Sequence, residues 1–349
     1  MTQYLSDKLR VLSFFSIILV LYIHSGFHSA EIEGMIVNNK VQILISEMLG
    51  RCAVPLFYII SGYLFFIKVP NGMKSILNKI LKRMRTLLIP YLIGCLFFVI
   101  FLVVVEVVPG TKRFMNGSVM PMFSLPLEEI LCSIFYDTGN GSPCAFQLWF
   151  LRDLIIIVAI SPLCFLCLKW LGWWFVTFVF ALTFCKVPYV PVYALFWFIL
   201  GGQLSRSENM ERRHGMCQIL CLITFVIVSL VQLIFPTLIK WELLHIPIIL
   251  LGIIGIWNLY NIIVGEHFVL IQHKCLATAC QFTFFIYLFH EPTLNIVRKL
   301  IVVLLGKNEI GYLTSYILSP WIFTFFAVVA GLLFRKYFPK VYNLCTGRR

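Results

Sequence analysis

Runs of roughly 20 apolar residues recur along the whole chain, and a run of that length is what one helix needs to cross the hydrocarbon core of a bilayer. About ten can be drawn, at 10–28, 44–67, 86–108, 147–168, 171–187, 190–205, 216–236, 243–264, 281–304 and 311–334. Backbone polar groups in lipid must be satisfied within the segment, so the runs are read as helices. The expected fold class is all-α, a polytopic integral membrane protein with about ten transmembrane helices. The fifth and sixth runs are short and Pro188 and Pro191 lie between them, so their division can shift.

Composition agrees. Hydrophobic residues make up 60% and charged residues 12% of the 349, against about a quarter charged in a soluble domain. That excludes a soluble enzyme, and it is the reverse of the disordered signature. The net charge of +13, from 28 Lys and Arg against 15 Asp and Glu, needs no nucleic-acid partner, because cytoplasmic loops retain basic residues. With the N-terminus inside, Lys and Arg favour the inner segments roughly two to one, which places both termini in the cytoplasm of a cell inner (plasma) membrane. Lys8 and Arg10 precede a first span without a small-residue cleavage site, as in a signal anchor.

Residues 69–85 set Ile76, Ile80 and Leu81 against Lys74, Lys79, Lys82, Arg83 and Arg85, the pattern of an interfacial amphipathic helix. The outer loop 109–146 contains an expected helix near 126–136, and a C-terminal tail, 335–349, is expected inside; the whole of 1–349 reads as one transmembrane domain. Asn116 and Asn140 begin Asn-Gly-Ser triplets in that loop, and Cys132 and Cys144 share it, so a disulfide is open there. The other cysteines are scattered through apolar runs without metal-ligand spacing, so no metal site is expected. Neither a Walker A sequence nor a G-x-G-x-x-G is present.

Ionisable groups inside spans are costly and are functional candidates by default. They are His24 in the first span, Glu47 and Arg51 at the start of the second, Arg152 and Asp153 in the fourth, and His290 and Glu291 before Pro292 in the ninth. The topology brings His24 and the charges of the second and fourth spans to a similar outer depth, with His290 near mid-membrane. Arg10 and His24 lie about 21 Å apart along a helix and share a face. Bland readings stand beside these: His24 as a headgroup anchor, Arg152 with Asp153 as a structural ion pair, and 74–85 as a lipid-surface anchor.

Six segments, in order, then resemble the acyltransferase 3 family of integral-membrane acyltransferases. They are LRVLSFFSIILVLYIHSG at 9–26, VPLFYIISGYLFF at 54–66, KRMRTLLIPYL at 82–92, QLWFLRDLIIIVAISPL at 147–163, FWFILGGQLS at 196–205 and FFIYLFHEP at 284–292. The family pattern has ten residues between the first-span Arg and His, whereas thirteen separate Arg10 from His24; the added turn keeps the face and lengthens the path.

The resemblance implies transfer of an acyl group, most often acetyl from acetyl-CoA, to a hydroxyl of a cell-surface glycan or lipid-linked precursor. No permanently bound cofactor is implied. His24 is then the general base, with His290 and Glu291 as orienting or alternative-base groups. Arg10, Lys82, Arg83 and Arg85 are the cations for the acyl-CoA phosphates. Arg51, Ser61, Gly62, Trp149, Arg152 and Asp153 are candidates on the substrate side. A carrier of glycan, lipid or acyl intermediates without chemistry remains the alternative, since buried His, Glu and Arg also serve proton-coupled transport. A purely structural subunit leaves the buried charges unexplained.

Overall fold

The computed structural model describes residues 1–26, 34–67, 73–108, 125–136, 142–185, 190–206, 216–235, 241–264 and 269–347. These form α1 (Gln3–Ser25), α2 (Ile36–Gln42), α3 (Ala53–Phe66), α4 (Met73–Val107), α5 (Leu127–Ser133), α6 (Trp149–Leu171), α7 (Trp173–Leu182), α8 (Val192–Leu204), α9 (Met216–Ile234), α10 (Trp241–Ile263), α11 (Lys274–Gln281), α12 (Thr283–Phe289), α13 (Thr293–Leu305), α14 (Glu309–Tyr337) and α15 (Pro339–Cys345). A π-helical stretch, Ile43–Leu49, and a 3₁₀ turn, Gly50–Cys52, join α2 to α3. No strand occurs among the described residues. The protein is an all-α polytopic membrane protein.

Among the described residues, six helical stretches are long and apolar enough to cross a membrane: Gln3–Ser25, Ile36–Phe66, Lys74–Val107, Phe146–Leu171, Leu244–Ile263 and Glu309–Tyr337. The remaining expected spans are helical but shorter. α7 and α8 have 10 and 13 residues and correspond to the two runs flanking Pro188 and Pro191. The ninth run is divided, because His290–Pro292 separates α12 from α13. Pro292 has no N–H to continue a ladder.

The expected boundary between an interfacial helix and the third span is absent: α4 runs on from Met73 to Val107 with Pro90 inside it. Nothing between Arg85 and Thr86 is a helix breaker, and the basic turn is held by Lys79, whose ammonium donates to the Ile67 carbonyl at 3.2 Å. The expected helix near 126–136 is α5. Residues 335–345 belong to α14 and α15. Asn116 and Asn140 lie outside the described residues, and Cys132 and Cys144 are free thiols.

Side chains such as Leu96, Ile100, Leu163, Val303, Leu304 and Phe325 face outward and exposed along the shafts. Apolar surface of that extent on a soluble monomer marks an interface; on these helices it is the lipid-facing wall. Trp170, Trp173 and Trp174 are exposed at the α6–α7 turn, which Gly172 closes with a φ of +52°.

Inside, α1 is touched by helices from both halves of the chain. Lys8, a residue that reads in sequence as a flanking cation, is 1% exposed. Its ammonium donates to Asn261 Oδ1 at 2.7 Å and sits 3.7 Å above the Trp257 ring, tying α1 to α10. Asp7 Oδ2 accepts the Leu270 N–H at 3.1 Å. Helices in lipid associate through close packing rather than apolar burial, and α3 against α8 does so at two glycines. A Cβ on Gly62 would fall 1.9 Å from the Phe198 carbonyl oxygen, and one on Gly201 2.0 Å from that of Ile59.

Candidate functional site

The fold builds a cavity of about 950 Å³ between α1, α3, α4, α6, α12 and the C-terminal part of α14. Arg10 from α1, Arg83 from α4 and Arg335 from α14 line it together with Asp7. Its apolar walls include Phe57, Leu64, Phe150, Leu154 and Phe284, with Ser13 and Ser61 among the polar groups. Arg335 is oriented by a donation to Gln281 Oε1 at 3.1 Å and lies 4.9 Å from the Phe282 ring centre. Three guanidinium groups over an apolar shaft are suited to an anionic head with a long uncharged arm, since planar guanidinium forks bind phosphate oxygens in pairs.

Tyr287 lines the cavity and connects it to the histidines. Its hydroxyl donates to the Gln147 carbonyl at 3.2 Å, and its own carbonyl lies 2.6 Å from His290 Nδ1. A carbonyl only accepts, so Nδ1 carries the proton and Nε2 holds the lone pair. That Nε2 is fully buried without a hydrogen-bond partner. The half-buried ring of His24 lies beside it, with centroids 4.9 Å apart and planes at 54°. The Phe146 ring also lies 5.8 Å from that of His24.

His290 sits in this position because α12 ends at Phe289 and the chain turns before α13. The turn is held from α6's approach, where Gln147 Nε2 reaches the Glu291 carbonyl at 3.5 Å. Gln147 is 2% exposed and its Oε1 has no partner. The Glu291 side chain is buried, with Arg298 and Lys299 in electrostatic reach.

Of the residues singled out in the sequence, His24 and His290 come together, Glu291 is buried next in the chain to His290, and Arg10, Arg83 and Ser61 line the adjoining cavity. Lys82 and Arg85 are exposed and lie outside its lining. At about 100° per residue along a helix, they are turned off the face that Arg83 presents. Gly62 is occupied by the close pass of α8. Arg51 is exposed and pairs with Glu47 one turn earlier, an arrangement worth little energetically. Trp149 opens α6 and is half-buried outside the cavity lining.

Arg152 and Asp153 form an ion pair at 2.9 Å, and Arg152 also donates to the Phe135 carbonyl at 3.1 Å and faces the Tyr136 ring. The pair therefore fastens the start of α6 to the end of the α5 segment. Three contributors were missed in sequence: Arg335, which falls at the start of the expected inner tail, Gln147, and Arg298. Arg298 lies in the ninth apolar run, so the rule that flagged His290 reaches it as well.

The chain matches the family described as an acyltransferase domain over residues 7–334. It belongs to that acyltransferase family, and the match takes in the histidine pair and the cavity lining except Gln3 at the start of α1 and Arg335 near the end of α14. No curated protein and no solved structure gives a match.

Proposed function

We propose that the protein is a membrane O-acyltransferase that moves an acyl group, acetyl in the simplest case, from cytoplasmic acyl-CoA to a hydroxyl of a cell-envelope polysaccharide or lipid-linked glycan. One observation carries the reading. A single cavity has Arg10, Arg83 and Arg335 in its lining and also Tyr287, whose carbonyl bonds His290 beside His24.

The donor's phosphates take the guanidinium groups, and its pantetheine arm follows the apolar walls toward Tyr287. An alcohol is a weak nucleophile until a base accepts its proton, and a positioned imidazole does this efficiently near neutral pH. His24 takes that proton as the oxygen attacks the thioester carbonyl. The carbon–oxygen bond forms, the carbon–sulfur bond breaks, and the proton passes from the imidazole to the departing CoA thiolate. His290, whose ring packs beside that of His24, and the buried Glu291 that follows it in the chain are the orienting or alternative-base groups. The acceptor class follows from what the family resemblance implies.

The test is transfer of label from acetyl-CoA by the purified protein in lipid nanodiscs, with host envelope glycan as acceptor. Label appearing on glycan hydroxyls, and lost in His24→Ala at unchanged abundance, is the expected result. Absence of transfer by the wild-type protein, with either envelope glycan or water as acceptor, overturns the reading.

A further inference from the structure

The end of α1 that carries His24 leaves backbone carbonyls without intrahelical partners, as every helix C-terminus does. Here they are taken by side chains from other helices. Ser46 Oγ donates to the Tyr22 carbonyl at 3.0 Å. Arg298, on α13 and 4% exposed, donates through one terminal nitrogen to the Gly26 carbonyl at 2.7 Å and the Ser25 carbonyl at 3.3 Å. Its other terminal nitrogen donates to Asn295 Oδ1 at 2.8 Å, which fixes the plane of the fork. Ser319 on α14 donates to Ser25 Oγ at 3.2 Å, and Ser315 donates to the Arg298 carbonyl at 2.8 Å.

A cation at a helix C-terminus also meets the negative end of the helix dipole. The same short helix that holds Arg298 begins just after the His290–Pro292 turn. Arg298 therefore links the two halves of the histidine pair mechanically: one end of α13 follows His290, and its interior grips the residues after His24.

We propose that Arg298 is a positioning residue that sets where the His24 imidazole stands relative to His290. This rests on the acyltransferase reading for its catalytic consequence, but not for its geometric one. A merely structural arginine changes how much protein folds, whereas a positioning one changes what each folded molecule does.

The experiment uses the full chain in nanodiscs with Arg298→Gln and Arg298→Lys. Mass-spectrometric modification of His24 by diethylpyrocarbonate reads the imidazole's shielding without requiring turnover. Arg298→Gln is expected to raise His24 labelling several-fold, and Arg298→Lys, which still donates to carbonyls, to return most of the way to wild type. In the transfer assay, kcat per folded molecule is expected to fall on the order of 100-fold in Arg298→Gln, with KM for acyl-CoA unchanged, as for loss of a transition-state arrangement. Unchanged His24 labelling in folded Arg298→Gln overturns the proposal. If wild-type protein transfers nothing while the labelling change appears, the acyltransferase reading falls and the positioning role stands.

Discussion

His24 on α1 and His290 just past the end of α12 stand with ring centroids 4.9 Å apart, although they are 266 positions apart in the sequence. The proton on His290 Nδ1 is committed to the Tyr287 carbonyl at 2.6 Å, so the buried, unpartnered Nε2 of the neutral ring holds a lone pair. Replacing His290 with Gln keeps volume and polarity but brings an N–H donor into that space. We expect His24→Ala to lower kcat by about 10²–10⁴-fold, the usual span for a lost general base, and His290→Gln to lower it less. Single-turnover kinetics on membrane-reconstituted protein measure both; equal loss in the two would make the pair a single proton-handling unit.

The cavity lining separates the basic residues into two groups. Arg83→Glu and Arg335→Glu each remove a guanidinium from the lining and place a carboxylate there, and each is expected to weaken acyl-CoA binding by at least about tenfold, the worth of one charge-assisted hydrogen bond. Lys82→Glu and Arg85→Glu alter exposed positions outside the lining and are expected to change affinity less than threefold in about 0.15 M salt, where exposed charges are screened. Equilibrium binding of labelled acyl-CoA decides it. Equal losses in all four would mean that the donor lies on the membrane surface rather than in the cavity.

How much of this was legible in the sequence follows from what each feature depends on. Span positions depend on local apolar length, which is why α1, α6, α10 and α14 were readable from runs of residues. The single helix Met73–Val107 was not, since its amphipathic start and apolar remainder have different hydropathy while the backbone continues unbroken. His24, His290 and Glu291 were legible because ionisable groups are rare in lipid-length runs. Arg83 could not be distinguished from Lys82 and Arg85, because the choice depends on which face α1 and α14 cover. The ligands of Arg298 are backbone carbonyls, which carry no sequence signal at all.

Gly62 bears on whether the Ser-Gly pair at 61–62 is chemical or architectural. A methyl group there meets the Phe198 carbonyl oxygen at 1.9 Å, and one on Gly201 meets that of Ile59 at 2.0 Å, so backbone must move in either case. Gly62→Ala and Gly201→Ala are each expected to destabilise by about 1–3 kcal/mol, as overpacking does. The double variant should cost less than the sum, because one outward shift of α8 relieves both contacts. Thermal unfolding in nanodiscs reads this. Ser61→Ala, whose residue lines the cavity, should leave the unfolding temperature within a degree or two.

Arg152 and Asp153 form an ion pair far less exposed than Arg51 with Glu47, with side chains 12% and 9% exposed at a 2.9 Å separation. Their partners, the Phe135 carbonyl and the Tyr136 ring, belong to the α5 segment, so the pair holds a connection in place. Breaking one side leaves the other charge buried, which typically costs about 3–5 kcal/mol, whereas removing both leaves no orphan. Arg152→Met and Asp153→Leu are therefore each expected to lower the unfolding temperature more than the double variant does. Proteolytic cleavage near Tyr136 should rise in all variants lacking Arg152, because the donation to Phe135 is lost with it. Acyl-CoA affinity should stay at the wild-type value throughout, since neither residue lines the cavity; a selective loss of affinity in Arg152→Met would return Arg152 to the substrate side.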